Sequence, residues 1–269
     1  MASPQNFNTA LSIAQGAAAV PAPYRQAIIA QAMADQMAIT SFPYFSTAKI
    51  RTVKNGTGPY SFDFAGGVTK AFGYAQGSDM SPAGYAPGTI ANVWNTNLLQ
   101  PSTTRDNADV QIFGLAACIL PGSNRSVVEK VWANSSVSIS LSGTDVFQIG
   151  RLEMLPSQGG LYGISSDDLV IPALNSSESL ASGYLANGNP VPENYLHFPQ
   201  PLVWSANGSG KKDTSLVVSV TTNAFTAASG LADRAAASGI APYTVPDEAY
   251  CEIAFRLISV SLSQRSLNV

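Results

Sequence analysis

The feature that most constrains this chain is the period of its apolar residues, which from Pro43 onward is two. Val137, Ile139 and Leu141 alternate with Ser136, Ser138, Ser140 and Ser142. Ala48, Ile50 and Thr52 alternate with Lys49, Arg51 and Val53, and Tyr60, Phe62 and Phe64 with Ser61 and Asp63. Leu216, Val218 and Val220 alternate with Val217, Ser219 and Thr221. Successive side chains of a strand point to opposite faces, so this pattern places one apolar face on a core, whereas a helix would scatter it around its axis.

Turn residues cut the pattern into short strands. Asn55-Gly56-Thr57-Gly58 and Ser142-Gly143-Thr144-Asp145 read as hairpin turns, the second leading into a strand over Val146–Met154. Asp109–Leu120 is apolar on both faces, as a central strand covered on both sides would be. Tyr195–Trp204 is interrupted by prolines and reads as an edge strand. In the final strand, Ala249–Leu262, Cys251, Ile253, Phe255 and Leu257 share a face, then the apolar set moves to Ile258, Val260 and Leu262. That shift implies a bulge or a strand that leaves the barrel to pack elsewhere. Residues 76–107 and 156–192 read as long loops, with short strands near Asn92–Trp94 and Leu169–Ile171; Ser126–Trp132 reads as a helix, and the excursion Ala224–Tyr243 has room for another. Eight firm strands with long connections predict an all-β fold, a jelly-roll β-sandwich or barrel over residues 46–269. Two tandem jelly rolls are the alternative.

Residues 1–45 form a different region, an N-terminal arm. Pro21 and Pro23 lead into an Ala-, Gln- and Met-rich run that predicts a helix over about 24–39. Ile29, Met33 and Met37 make one apolar face of it, while Ile28 and Ile39 begin a second. A second face needs a second partner, so Ile28, Ile29, Met33, Met37 and Ile39 are the candidate assembly contacts, and the arm is expected to serve assembly more than folding.

Charge points the same way. Only 12% of residues are charged, against roughly 25% in ordinary soluble domains. A surface of Ser, Thr, Asn, Gln and Gly suits a chain covered by neighbours, or a secreted one. Net charge is −3, which gives no electrostatic case for nucleic-acid binding by the whole chain. Residues 1–60 carry Arg25, Lys49, Arg51 and Lys54 against Asp35 alone, either by chance or because the arm faces a genome. MASPQNFNTA lacks a basic segment followed by an apolar core, and no apolar run approaches ~18 residues, so neither a secretory signal nor a membrane span is expected.

No catalytic set emerges, and no enzyme, cofactor or metal site is expected. The one histidine, His197, has no G-x-S-x-G serine to serve and reads as a packed or surface residue. Glu248, Glu252 and Arg256 share a face at four-residue spacing, as a carboxylate pair or an ion pair would. Asp167-Asp168 could contribute oxygens to Ca²⁺, though two adjacent aspartates equally make a turn or cap. Cys118 and Cys251 sit in apolar stretches as free thiols. Five N-x-[ST] sequons, at Asn55, Asn124, Asn134, Asn175 and Asn207, read as turn chemistry.

Asn97-Leu98-Leu99 with Thr104-Arg105, the strand Ala108–Ile119, and Arg151-Leu152-Glu153-Met154-Leu155-Pro156 followed by Gly159-Gly160-Leu161-Tyr162-Gly163 resemble capsid proteins of tailless icosahedral bacteriophages. These phrases cover well under a quarter of the chain. The resemblance implies a jelly-roll subunit made in a host cytoplasm and built into a virion. Its partners would be copies of itself, other virion proteins, and an internal membrane or the genome on the inner face. A secreted or surface carbohydrate-binding or adhesive β-sandwich, and a minor spike or vertex protein, are the alternative readings.

Overall fold

The computed structural model describes residues 18, 20–35, 37–41, 43–55, 61–101, 104, 109–120, 122–155, 160–163, 184–187, 195–205, 215–228 and 248–264. Along the chain come α1 (Ala22–Ala34), β1 (Met37–Thr40), β2 (Phe45–Arg51), β3 (Val53–Asn55), β4 (Ser61–Phe64) and β5 (Gly67–Ala71). After a long loop follow β6 (Asp109–Ile119), α2 (Arg125–Asn134), β7 (Ser135–Leu141), β8 (Thr144–Arg151), β9 (Gly160–Gly163) and β10 (Tyr184–Asn187). The last strands are β11 (Leu196–Trp204), β12 (Leu216–Thr222), β13 (Phe225–Ala228) and β14 (Tyr250–Gln264). The fold is all-β, and every strand pairing is antiparallel.

Four pairings set the topology: β2 with β14, β5 with β12, β6 with β11, and β7 with β8. The eight strands are therefore one long hairpin, doubled back at the β7–β8 turn. Two more pairings, β14 with β6 and β12 with β7, roll that hairpin into two sheets. The first runs β2-β14-β6-β11, with β1 beside the far end of β14; the second runs β5-β12-β7-β8. Outside them lie a three-stranded sheet, β13-β4-β3, and the ribbon β9–β10.

The two sheets face each other across one core cluster. The first supplies Ile50, Ile112, Leu115, Ile253 and Phe255; the second supplies Val137, Ile139, Leu216, Val218 and Val220. The alternation thus does what its period predicts: Val137 and Ile139 are buried while Ser136 faces solvent. Trp204, the largest fully buried side chain, meets Tyr44 edge-on at 5.1 Å. Val127, Val128 and Val131 of α2 join the same cluster.

Several sequence expectations change, among them the loop 156–192, whose residues 160–163 and 184–187 form β9 and β10, and the excursion 224–243, which opens with the strand β13 (Phe225–Ala228). The helix expected over about 24–39 runs from Ala22 to Ala34 instead, and Met37 and Ile39 stand on β1. Helix propensity loses there to a ladder in which Met37–Thr40 pairs with Gln264–Ser261 of β14. The strand expected near Asn92–Trp94 is a turn, held by backbone bonds from Asn95 and Thr96 to the Asn92 carbonyl. The apolar shift in the last strand needs no departure from the sheet. Both faces of β14 are covered there, the inner by the core and the outer, at Val260 and Leu262, by α1. The irregularity lies opposite Ile258 and Ser259, where Phe113 is the extra residue of β6. The turn 56–58, the segment Leu169–Ile171, and the excursion beyond Ala228 lie outside the described residues.

Candidate assembly surface

The outer face of the first sheet carries the groups that function can use, and three things cover or line it. At one end lies α1. Tyr24 stacks on Phe113 at 5.4 Å, and its hydroxyl donates to the Phe198 carbonyl at 3.1 Å. Ile28 and Ile39, each 4% exposed, pack with Phe113, Val260 and Leu262, and Ile29 and Met37 pack against that cluster half-buried. The second apolar face that the sequence left open is thus filled by the chain's own sheet. Of the five candidate contacts, only Met33 points to solvent, at 62% exposure.

At the other end the loop 72–101 lies against β2 and caps its free edge. The Thr47 N–H donates to the Asn95 carbonyl at 2.9 Å, the Phe45 N–H donates to Asn97 Oδ1 at 3.0 Å, and Asn97 Nδ2 donates to the Pro43 carbonyl. The loop has its own small core of Tyr74, Met80, Ala83, Tyr85 and Ala91. Gly84 is where it comes closest: φ is +83°, and a Cβ there would lie 1.8 Å from the Lys49 carbonyl oxygen. Only glycine tolerates both the left-handed backbone and that approach.

Beneath the loop sits the densest set of titratable groups among the described residues. Cross-strand register sets Glu252 opposite Lys49 and Tyr250 opposite Arg51. Tyr85 donates its hydroxyl to Glu252, and Thr47 Oγ1 lies 2.7 Å from the Tyr85 hydroxyl and 2.9 Å from that of Tyr74. Lys49 Nζ stands 3.6 Å above the centre of the Tyr250 ring, and Arg51 Nε donates to Glu248 at 2.9 Å. Burial holds the Lys49 ammonium below the usual lysine range, against the opposing pull of Glu252 and Glu248. Burial likewise pushes the Tyr85 hydroxyl far up, and the Glu252 carboxylate adds to the push. These groups are spent on one another. The arrangement clamps the loop to the sheet, and Glu248 and Glu252 each have a partner of their own within it.

Between α1 and the loop no described residue covers the sheet face. Pro43, Phe45, Ala116, Cys118, Ala254 and Arg256 line an apolar groove with a cavity of about 280 Å³. Beside it the loop presents Ile90, Val93, Trp94 and Leu99 to solvent, Trp94 at 82% exposure. The Trp94 N–H donates to Asn92 Oδ1 at 2.8 Å and the Asn92 N–H to Asn95 Oδ1 at 3.1 Å, which fixes the turn that carries the indole.

The remaining candidates are scattered. The His197 side chain is exposed and lies against Tyr195, ring centres 4.1 Å apart. Cys118 and Cys251 are free thiols, Cys251 fully buried. Of the sequon asparagines, Asn124 is buried and its Oδ1 accepts from the Tyr250 N–H at 2.7 Å, Asn134 donates to the Lys130 carbonyl, and Asn55 donates to Asp63. Asp167, Asp168, Asn175 and Asn207 lie outside the described residues. Among the described residues no group of three His, Cys, Asp or Glu side chains is placed to hold a metal, and no helix is long and apolar enough to cross a membrane. Sequence reading missed the tyrosine clamp and Trp94. Their signal was present as turn residues, Gly84, Gly88 and Asn92, spaced among large apolar ones, where a solvated loop would be polar throughout. Comparison with protein families, curated proteins and solved structures finds no match for the chain.

Proposed function

We propose that the chain is a non-enzymatic structural protein, a jelly-roll subunit that assembles with copies of itself into a closed icosahedral capsid shell. The observation that carries this reading is the strand order. Eight strands paired as one rolled hairpin, in sheets β2-β14-β6-β11 and β5-β12-β7-β8, support the jelly-roll plan of two Greek keys that capsid and lectin domains use. Two further facts favour a shell over a free monomer. The chain is 12% charged, and one loop of it exposes Ile90, Val93, Trp94 and Leu99 together. Large exposed apolar side chains on a charge-poor surface mark interfaces. In the virion the partners would be further copies, other coat proteins, and a membrane or genome inside.

Electron microscopy and light scattering of the purified full-length chain test this reading. Closed particles of uniform size are expected. A monodisperse monomer at every concentration and salt condition would sink it.

A carbohydrate-binding module is the second reading, favoured by the rigidly held Trp94, since an exposed indole offers an apolar face to a sugar ring. Glycan-array binding by a monomer, abolished in Trp94→Ala, would establish it in place of the shell.

A further inference from the structure

We infer that Trp94 of one copy inserts into the apolar groove of a second copy, between Phe45 and Arg256, and that the contact is reciprocal about a two-fold axis. The inference rests on the self-assembly half of the proposed function, not on the shell.

The donor is built before it is needed. Asn92, Asn95 and the Trp94 backbone lock the turn, and the Asn95 carbonyl is held in turn by the Thr47 N–H and, at 3.1 Å, by the Tyr74 hydroxyl. A turn fixed this way loses little backbone freedom on binding. The loop, however, leaves the indole 82% exposed, so its own chain gives it no pocket.

The acceptor is small and apolar. Its cavity of about 280 Å³ falls below the roughly 300–1,000 Å³ of small-molecule sites, but an aromatic ring can enter it. Outward-facing Ala116 and Ala254 leave the floor flat, and Phe45 and Pro43 form an apolar wall. Charge allows the apposition. From Phe72 to Pro101 the only acidic or basic residue is Asp79, whereas the only charged residue lining the groove is Arg256. Among the described residues neither surface therefore brings a like charge against the other.

Position decides the symmetry. Thr96 donates to the Phe45 carbonyl at 3.2 Å and Asn97 to that of Pro43, so the segment that follows Trp94 runs along the groove's own Pro43–Phe45 wall. When anchor and socket are neighbours on one face, a two-fold axis beside them satisfies both at once, each residue meeting its counterpart's partner. Two buried indoles remove roughly 300–500 Å² of the roughly 1,200–2,000 Å² that a stable interface covers. Val93, Leu99 and the groove walls lie in position to contribute to the rest.

The test uses the groove's own thiol. In full-length Trp94→Cys, a short bis-maleimide whose spacer stands in for the missing indole should join Cys at 94 of one copy to Cys118 of the other. A covalent dimer is expected on a denaturing gel, absent from wild type and from Trp94→Cys/Cys118→Ser. Cys251 is fully buried and does not compete. No dimer, or one that survives Cys118→Ser, overturns the contact. In sedimentation, Trp94→Ala should weaken self-association at least tenfold while the circular dichroism spectrum is kept. Dimers without shells would uphold the contact and sink the shell. Shells that form normally from Trp94→Ala would overturn the contact and leave the shell standing. Loss of glycan binding in Trp94→Ala with association unchanged assigns the indole to carbohydrate and overturns the contact as well.

Discussion

Gly84→Ala tests whether the loop is docked as tightly as the clamp requires. At φ +83° an added Cβ meets the Lys49 carbonyl oxygen at 1.8 Å and Thr69 Cγ2 at 2.8 Å. The first contact is with backbone of β2, so the loop must withdraw by about 1 Å or more. The left-handed conformation alone costs about 1–2 kcal/mol for a residue with a Cβ. Withdrawal then strains or breaks the Tyr85 bond to Glu252, worth roughly 1.5–3 kcal/mol because its acceptor is charged, and the weaker one to Thr47. The total is about 3–5 kcal/mol, a large share of the roughly 5–15 kcal/mol that keeps a domain folded. Gly88→Ala is the control. Its φ is +80°, yet a Cβ there meets nothing within 4 Å, so it should cost only the backbone share. Urea unfolding of both variants, read as midpoint shifts at constant m, gives the difference directly. If the two lose the same stability to within ~0.5 kcal/mol, the loop is not seated on β2 and the rigid presentation of Trp94 fails with it.

Truncating the core at Ile139 or Phe255, both fully buried between the sheets, should cost roughly 2–5 kcal/mol, while Ser136→Ala on the outer face should stay within ~0.5 kcal/mol; an inert Phe255→Ala would contradict the sandwich. Burial raises the Tyr74 and Tyr85 hydroxyls above their ordinary 10.0, so above pH 10 the unfolded chain releases protons that the native chain keeps, and stability falls as pH climbs. Lys49, lowered from 10.5, acts in the opposite sense below that value; Tyr85→Phe should therefore flatten the alkaline limb of a pH–stability curve, and an unchanged limb would refute the assignment. Deleting residues 1–41 should keep β-rich circular dichroism but uncover Phe113, Val260 and Leu262, read as new binding of an apolar dye; loss of the β signal would make the arm part of the core.

What the sequence disclosed follows from which forces act locally. Alternation in β7, β12 and the first half of β14 was legible because each has one face on the core and one elsewhere. The double-faced character of Asp109–Leu120 was legible too, since β6 lies between β14 and β11 with Phe113 under α1. Helix termination at Ala34 was not, because Met37–Thr40 is recruited by a strand more than 220 residues away. The faces of α1 misled for the same reason: Ile28 and Ile39 looked unpartnered only while their partners, Val260 and Leu262, were unknown. The clamp was illegible because Thr47, Tyr85 and Glu252 come from three separate segments. Trp94 had a local signal, an Asn on each side of its turn, but Asn92–Trp94 reads as a short strand within a Gly- and Pro-rich loop.

The way the sheet edges are blocked bears on how so uncharged a chain avoids uncontrolled aggregation. An open edge strand pairs with any other, and few charges are present to prevent it. Here β2 is sealed by the loop through Thr47 and Asn97, and β11 carries Pro199 and Pro201, which remove ladder donors. On the second sheet Lys70 stands exposed on β5 and Arg151 at the end of β8. With backbone pairing discouraged at these edges, the proposed association is left to side-chain surfaces. Those have shape, and an anchor that fits a socket fixes an angle between copies where edge pairing would add strands without limit. A fixed angle is what closed assembly needs. The same loop that seals β2 also carries Trp94, so in the proposed contact one structural element blocks open-ended pairing and supplies the directional anchor.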